Sequence, residues 1–581
     1  MRSQIASGLR VTWWSRQDRR PTGGRIVPSG IVRSGIVRSG IVRSGIVRSG
    51  AVRSRPVSPR VALTAVALVG LIGLVGTGCD GSSPAAGNRP SAGTGASGGS
   101  GRPTEPDTPA GFDVKAENAR PGADCGLARL GEGHAVEGWL DRVGVDPGQP
   151  VRLFASTTAS RLAVSVFRIG WYGGHTCRLI TRREELPGRV QPSAAMNATT
   201  NTVSAASWAP TVTFDTATWP PGDYLFRLDS SNGFQSYVPL TVRSPSAQGR
   251  IVILNSVTTW QAYNAWGGYS LYHGLRGFAD RARVVSFDRP YGYGDGAADF
   301  TGNEAPLVTL AERLGLPLAY ATDIDLHAEP RLFDGARAVI SLGHDEYYSP
   351  RMRATLTAAR DAGANIAFLG ANAVYRRIRL APTPHGPDRL ETGYKVANED
   401  PLYGRDNSQI TANWPSPPNA DPESSLTGGM YQCNPVHADL VVTNPGHWLL
   451  AGTGLAAGSR IPGMIGSEYD RVDPNRPTPQ MIEVLAHSPV ACHGQADYSD
   501  VSYYTAPSGA GVFDAGTSAW VCALLDVCGP GAHGEPVQRF VTQVTTTLLQ
   551  AFAAGPAGRV HPAARSVPAE ARSTPVTGSE R

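Results

Sequence analysis

At 581 residues, 41% of them hydrophobic, the chain is long enough for two to four domains with proper cores and is too apolar to be disordered throughout. Its formal charge of +5 suggests a polyanion partner, but of its 53 Lys and Arg and 48 Asp and Glu, residues 1 to 60 hold 13 Arg and one acid, Asp18. From Asp80 onward 40 basic residues face 47 acidic ones, a net charge of −7 with no Lys/Arg run, which excludes nucleic acid as an expected partner.

The first segment reads as a leader. GIVRS occurs four times from Gly30 to Ser49, followed by GAVRS. A five-residue period is too short for a folded repeat unit, so residues 1–60 are a basic low-complexity leader, such as a start codon set too early would add. Val61 to Gly76, VALTAVALVGLIGLVG, is a run of 16 apolar or small residues behind Arg53, Arg55 and Arg60. A spanning helix needs about 20 apolar residues, and this run ends in small ones, which predicts a signal peptide and export. Cys79 follows Gly78 as in a bacterial lipobox, although Gly76 stands where Leu is usual. The expectation is lipidation of Cys79 and a chain tethered to the outer face of the cell membrane, with soluble secretion and an uncleaved anchor as the alternatives.

Residues 80–111, rich in Gly, Ser, Pro and Thr, predict a disordered stalk. Over 112–244 short alternating runs recur, among them VRLFAST, LAVSVFRIG and GDYLFRL, separated by Pro/Gly/Asn turns. Period two at that spacing predicts an antiparallel β-sandwich of Ig- or lectin-like type. Over 250–555 the pattern changes. IVILNS, ARVVSF, PLAYAT, ARAVISLG and NIAFLGA read as strands, alternating with helical stretches such as LVTLAERLG and SPRMRATLTAARDAG. That predicts a doubly wound α/β domain, with a Pro/Asn/Asp-rich insertion at about 381–435, a closing helix at 535–553 and a disordered tail from 556.

Such sheets place their sites at the carboxyl ends of the strands. Three predicted strand ends are rich in polar and aromatic residues: TTWQAYNAWGGYSLY after the first, His344-Asp345-Glu346-Tyr347-Tyr348-Ser349 after ARAVISLG, and Ala371-Asn372-Ala373 with Tyr375-Arg376-Arg377 after NIAFLG. His344 and Glu346 project to one side of an extended segment, which suits a metal ligand beside an acid/base group. The bland alternative makes His344 and Asp345 caps of the helix that starts near Ser349-Pro350, and makes Tyr263 and its aromatic neighbours core or sugar-stacking residues. No G-x-S-x-G, H-E-x-x-H or nucleophilic Cys turn is present, so covalent catalysis is not indicated. With Cys79 set aside, Cys125, Cys177, Cys433, Cys492, Cys522 and Cys528 suit up to three disulfides in an exported chain.

Five motifs in one order, FRIGWYGG (Phe167 to Gly174), PGDYLFRL (Pro221 to Leu228), WQAYNAWGG (Trp260 to Gly268), GHDEYYS (Gly343 to Ser349) and FLGAN (Phe368 to Asn372), resemble the large (beta) subunit family of N,N-dimethylformamidase over roughly residues 112 to 555. The resemblance implies a sandwich-like domain before an α/β domain of glutamine amidotransferase-like fold. It also implies one ferric iron held by two tyrosinates and a glutamate, and hydrolysis of a small or peptide-like amide. Tyr224, Tyr263 and Glu346 look like the ligands and His344 like the second-sphere histidine. Asn372 resembles a substrate-orienting amide, and Glu468, with Asp470 as its competitor, resembles a catalytic carboxylate. With Tyr224 in the sandwich, the site would straddle both domains. Gly370 stands where the family has an aromatic wall. A small subunit is implied as partner, with a homo-oligomer as the alternative. Two functions follow: a membrane-tethered iron-dependent amide hydrolase, or a non-catalytic glycan-binding or cell-wall-associated lipoprotein.

Overall fold

A computed structural model describes residues 112–569 apart from 132, 293 and 529–532. The basic leader, the apolar run 61–76, Cys79, the stalk and the tail from 570 lie outside the described residues. The chain is mixed α/β, with many sheets and few helices. Two sheets come first. One orders β1 (Val136–Leu140), β3 (Val151–Thr157) and β6 (Val212–Phe214) as β1-β3-β6. The other orders β2 (Gly144–Val145), β4 (Arg161–Ile169), β5 (Cys177–Pro187), β7 (Gly222–Ser230) and β8 (Gln235–Val242) as β2-β8-β7-β4-β5. Val136, Leu153 and Phe214 of the first sheet share a core with Val164, Phe226 and Leu240 of the second. Burial of alternating residues from both sheets drives their pairing.

The central sheet collects β9 (Ile251–Asn255), β11 (Leu318–Thr322), β12 (Ala338–Leu342), β13 (Asn365–Leu369), β17 (Ile482–Cys492), β18 (Gln495–Thr505) and β19 (Gly511–Asp514) in the order β11-β9-β12-β13-β19-β18-β17. The first five run parallel and the last two antiparallel. Along β9, Ile251 and Ile253 enter one core, while Val252 and Leu254 enter the other. Helices α2 (Ala305–Arg313) and α4 (Glu535–Ala554) cover the first face, and α3 (Pro350–Asp361) covers the second. Strands buried on both faces need continuous apolar runs, which IVILN and AVISL supply.

ARVVSF is not part of this sheet. Its strand β10 (Val284–Ser286) pairs antiparallel with β15 (Gly386–Thr392), which pairs with β14 (Arg379–Thr383). A short apolar run carries no information on its partner, and the hairpin at 379–392 offers it a free edge. The chain from 370 to 510, between β13 and β19, therefore holds far more than the predicted 381–435 insertion: this hairpin, β16 (Met430–Cys433), β17 and β18. The predicted disordered tail also starts too early. Ser566 donates its N–H to Ile482 O, and Ala563 is buried, so the chain packs back on the sheet before 570.

The described residues belong to one compact unit. Phe167 and Leu225 of the second sheet join the core of α2 and β9. Arg168 in β4 pairs with Glu312 in α2 at 2.6 Å, both fully buried. The six described cysteines pair as Cys125–Cys177, Cys433–Cys492 and Cys522–Cys528. No helix among the described residues is long and apolar enough to cross a membrane.

Candidate functional site

Numbered along the parallel run, the strand order is 2-1-3-4-5, whose winding reverses between β9 and β12. A crevice outside the carboxyl ends of those strands is where such sheets bind ligands. From β9 the chain enters helix α1 (Val257–Tyr263), whose last residue delivers Tyr263, and the Trp266–Gly268 turn brings Tyr272 beside it. From β12, Gly343 at φ 62° turns the chain so that His344, Asp345 and Glu346 follow. From β13, Asn372 adopts φ 61°, a conformation Asn tolerates, with its N–H on Asp470 Oδ1 at 2.8 Å.

These segments bring three oxygens together. Tyr263 Oη lies 2.8 Å from Tyr272 Oη and 2.8 Å from Glu346 Oε2, and Tyr272 Oη lies 2.8 Å from the same Oε2. Burial first, and then the Glu346 charge, pushes both phenols well above their ordinary range. Burial alone would raise the Glu346 carboxyl, but Lys395, Arg376 and His344 hold it below its usual value. Arg376 Nε sits 3.1 Å from Glu346 Oε1. Lys395 Nζ lies 3.1 Å from the centroid of the Tyr272 ring and donates to Tyr347 Oη.

Around this triad the half-buried His344 ring packs edge-on to Tyr263, at 5.0 Å between centroids. Burial would lower its pKa, yet Glu468 and Asp299 raise it. Glu468 is pushed up by burial, with His344 opposing and Glu346 adding to the shift. Its Oε1 accepts from Asn434 Nδ2 at 3.0 Å, and the neighbouring Asn372 side chain works against the rise in its pKa.

Of the predicted residues, Tyr263, Glu346, His344, Asn372 and Glu468 meet here. Tyr224 does not. Alternation along β7 sends Tyr224, with Phe226 and Leu228, into the core between the two N-terminal sheets, where it stacks on Trp219 and donates to Pro220 O. Tyr272 takes the place expected of it. Asp470 holds the Asn372 backbone rather than replacing Glu468. Asp345 caps no helix: it accepts from Ser341 Oγ and Tyr348 Oη, and Ser349 caps α3 instead. Trp260 and Trp266 are core residues. Lys395 went unread because it lies inside the stretch taken for an insertion. For Tyr272 the available signal was its place in the same aromatic run as Tyr263.

A family model described as "N,N-dimethylformamidase beta subunit-like, C-terminal" matches residues 163–533. No curated protein matches the chain. Among solved structures, a Paenibacillus sp. cycloisomaltooligosaccharide glucanotransferase complexed with cycloisomaltoheptaose is similar at 11% identity and a TM-score of 0.13, over 22% of this chain. The chain spans 18% of that protein's length.

Proposed function

The chain belongs to the N,N-dimethylformamidase beta subunit-like family, and from that premise we propose that it is an exported, iron-dependent hydrolase of amide C–N bonds. The fold that goes with this reading is an Ig- or lectin-like β-sandwich followed by a doubly wound, glutamine amidotransferase-like domain. The shared core of the first two sheets and the helices on both faces of the third support it. Three disulfides suit an oxidising compartment, as export requires. The lipid anchor at Cys79 would make the membrane a partner, and a small subunit or a second copy would be another.

The observation that carries the reading is the oxygen triangle of Tyr263, Tyr272 and Glu346. Adjacent ligand oxygens of an octahedral ion with bonds of about 2.0 Å stand about 2.8 Å apart, and the triangle has that edge throughout. Phenol and carboxylate are hard oxygen donors of the kind ferric iron takes. Bound there, the ion would supply Lewis acidity toward a carbonyl and a water, and the charge that ionises two buried phenols. Glu468 Oε2, which has no partner, would take the proton of the attacking water. The water oxygen bonds to the carbonyl carbon, the C–N bond breaks, and Glu468 returns its proton to the departing nitrogen. The His344 ring packs edge-on to Tyr263, and the Glu468 and Asp299 charges raise its pKa against burial.

Metal analysis and visible absorption of the purified full chain test this. Stoichiometric iron with a phenolate-to-iron charge-transfer band is expected, lost in Tyr263→Phe and Tyr272→Phe and kept in Tyr224→Phe. Iron-free protein from iron-replete cells, or a band that survives both losses, would sink the assignment.

A further inference from the structure

Glu346 is held at every polar group it has. Its backbone N–H donates to Thr259 Oγ1 at 2.9 Å, one turn before Tyr263 on α1. Its C=O accepts the Arg376 backbone N–H at 2.8 Å, beside the parallel pairing of Tyr347 with Arg376. On the carboxylate, Oε2 belongs to the oxygen triangle, whereas Oε1 has Arg376 Nε at 3.1 Å and Tyr272 Oη at 2.7 Å. An ionised tyrosine has no hydrogen to give, so with Tyr272 on a metal Arg376 is the donor that Oε1 keeps. Lys395, another cation beside the triad, donates to Tyr347 Oη instead. The guanidinium is braced in turn: Arg376 Nη1 donates to Asn413 Oδ1, and Asn413 Nδ2 donates to Tyr375 Oη at 3.2 Å. Arg376 and Asn413 are also bridged through their backbones. With side chains 14% and 1% exposed, Arg376 and Glu346 form a charge-assisted bond that water scarcely reaches.

A carboxylate binds a hard cation through one oxygen or through both. The second mode requires Oε1 to leave Arg376 for the ion, and it takes up a position that water or a carbonyl would otherwise occupy. We propose that Arg376 is a positioning residue that fixes Glu346 as a one-oxygen ligand and so keeps a place on the ion open to a substrate carbonyl. The inference rests on the iron reading for the identity of the ion. For the mode of binding it rests on the Arg376–Glu346 geometry, which commits Oε1 to a partner outside the triangle. Partners that orient a metal ligand from outside control affinity and reactivity almost as strongly as the ligands do.

Dimethyl sulfoxide, a neutral oxygen donor that cannot be hydrolysed, reads the open place without turnover. Titrated into the iron-loaded full chain, it should displace the phenolate-to-iron band in a saturable way. Arg376→Met removes the donor and frees Oε1. It should keep its iron, with the band at shorter wavelength because a second carboxylate oxygen and the lost cation leave the ion less electron-poor. Dimethyl sulfoxide should then bind about tenfold more weakly or worse. Asn413→Ala, which only unbraces the guanidinium, should move both readouts the same way by less and covers the case in which Arg376→Met does not fold. Asn413→Asp keeps the acceptor and should leave both unchanged. Arg376→Met, or Asn413→Ala where that chain does not fold, matching the unchanged protein in band position and affinity would overturn the inference and leave the iron reading standing. So would iron-loaded chain that takes up no dimethyl sulfoxide. A full chain that binds no iron defeats the iron reading itself, and the inference with it.

Discussion

Asp223 and Tyr224 are adjacent in one motif and face opposite ways. Tyr224 enters the core of the N-terminal sheets, while Asp223 turns toward β9, accepting from Asn255 Nδ2 at 2.5 Å and Thr241 Oγ1 at 2.9 Å. Burial pushes the Asp223 carboxyl up to about 7 against these bonds, and its Oδ2 has no partner. A carboxyl whose pKa is raised on folding contributes stability below its unfolded value, near 4, and loses it as pH rises through about 7. Asp223→Asn keeps the acceptor and removes the titration. Relative to the unchanged chain it should gain about 2–3 kcal/mol between pH 5 and pH 8, read from urea unfolding at both values. An equal difference at the two pH values would refute the burial argument. The same alternation explains why Tyr224 is not beside Tyr263 and Glu346: those two stand at strand ends that motifs mark, but which face Tyr224 occupies depends on the two sheets that enclose it.

Between elements, the close approach of β12 and β13 is set by Gly370. A Cβ there would stand 1.4 Å from Gly343 O, with no side chain to move aside. The absence of an aromatic wall at this position is thus imposed by the strand ends themselves, and Tyr375 and Tyr431, 5.0 Å apart, supply aromatic surface from other segments. Gly370→Ala should destabilise by about 3 kcal/mol through overpacking and should pull His344 and Asn372 out of register. A denaturation midpoint equal to that of the unchanged protein would count against this account. The strands IVILN, LAYAT, AVISL and NIAFL were legible because continuous apolar runs suit only a sheet covered on both faces. ARVVSF was misassigned because three strand residues do not say whether a parallel neighbour or a distant hairpin will pair with them.

At the scale of the molecule, the N-terminal sheets and the central sheet are joined by a buried ion pair. Arg168 reaches Glu312 Oε1 and Oε2, with Asn118 Nδ2 and Tyr320 Oη completing the carboxylate's partners. Glu312→Ala leaves the Arg168 guanidinium without its counter-charge, and unfolding free energy should fall by about 3–5 kcal/mol. A loss below about 1 kcal/mol in chemical denaturation, the scale of an exposed pair, would show that water reaches the guanidinium.

The sequence by itself determined the change from alternating to continuous apolar runs, the strand ends where chemistry collects, and the acidic character of the chain beyond its leader. These are local properties, fixed by which side chains neighbour one another along the backbone. Only the tertiary structure decided that Tyr272 rather than Tyr224 joins Tyr263 and Glu346, and that Lys395 reaches them from the long segment after β13. Each depends on partners tens to hundreds of residues away, and hydrogen-bond capacity spent on one distant partner is no longer available to another.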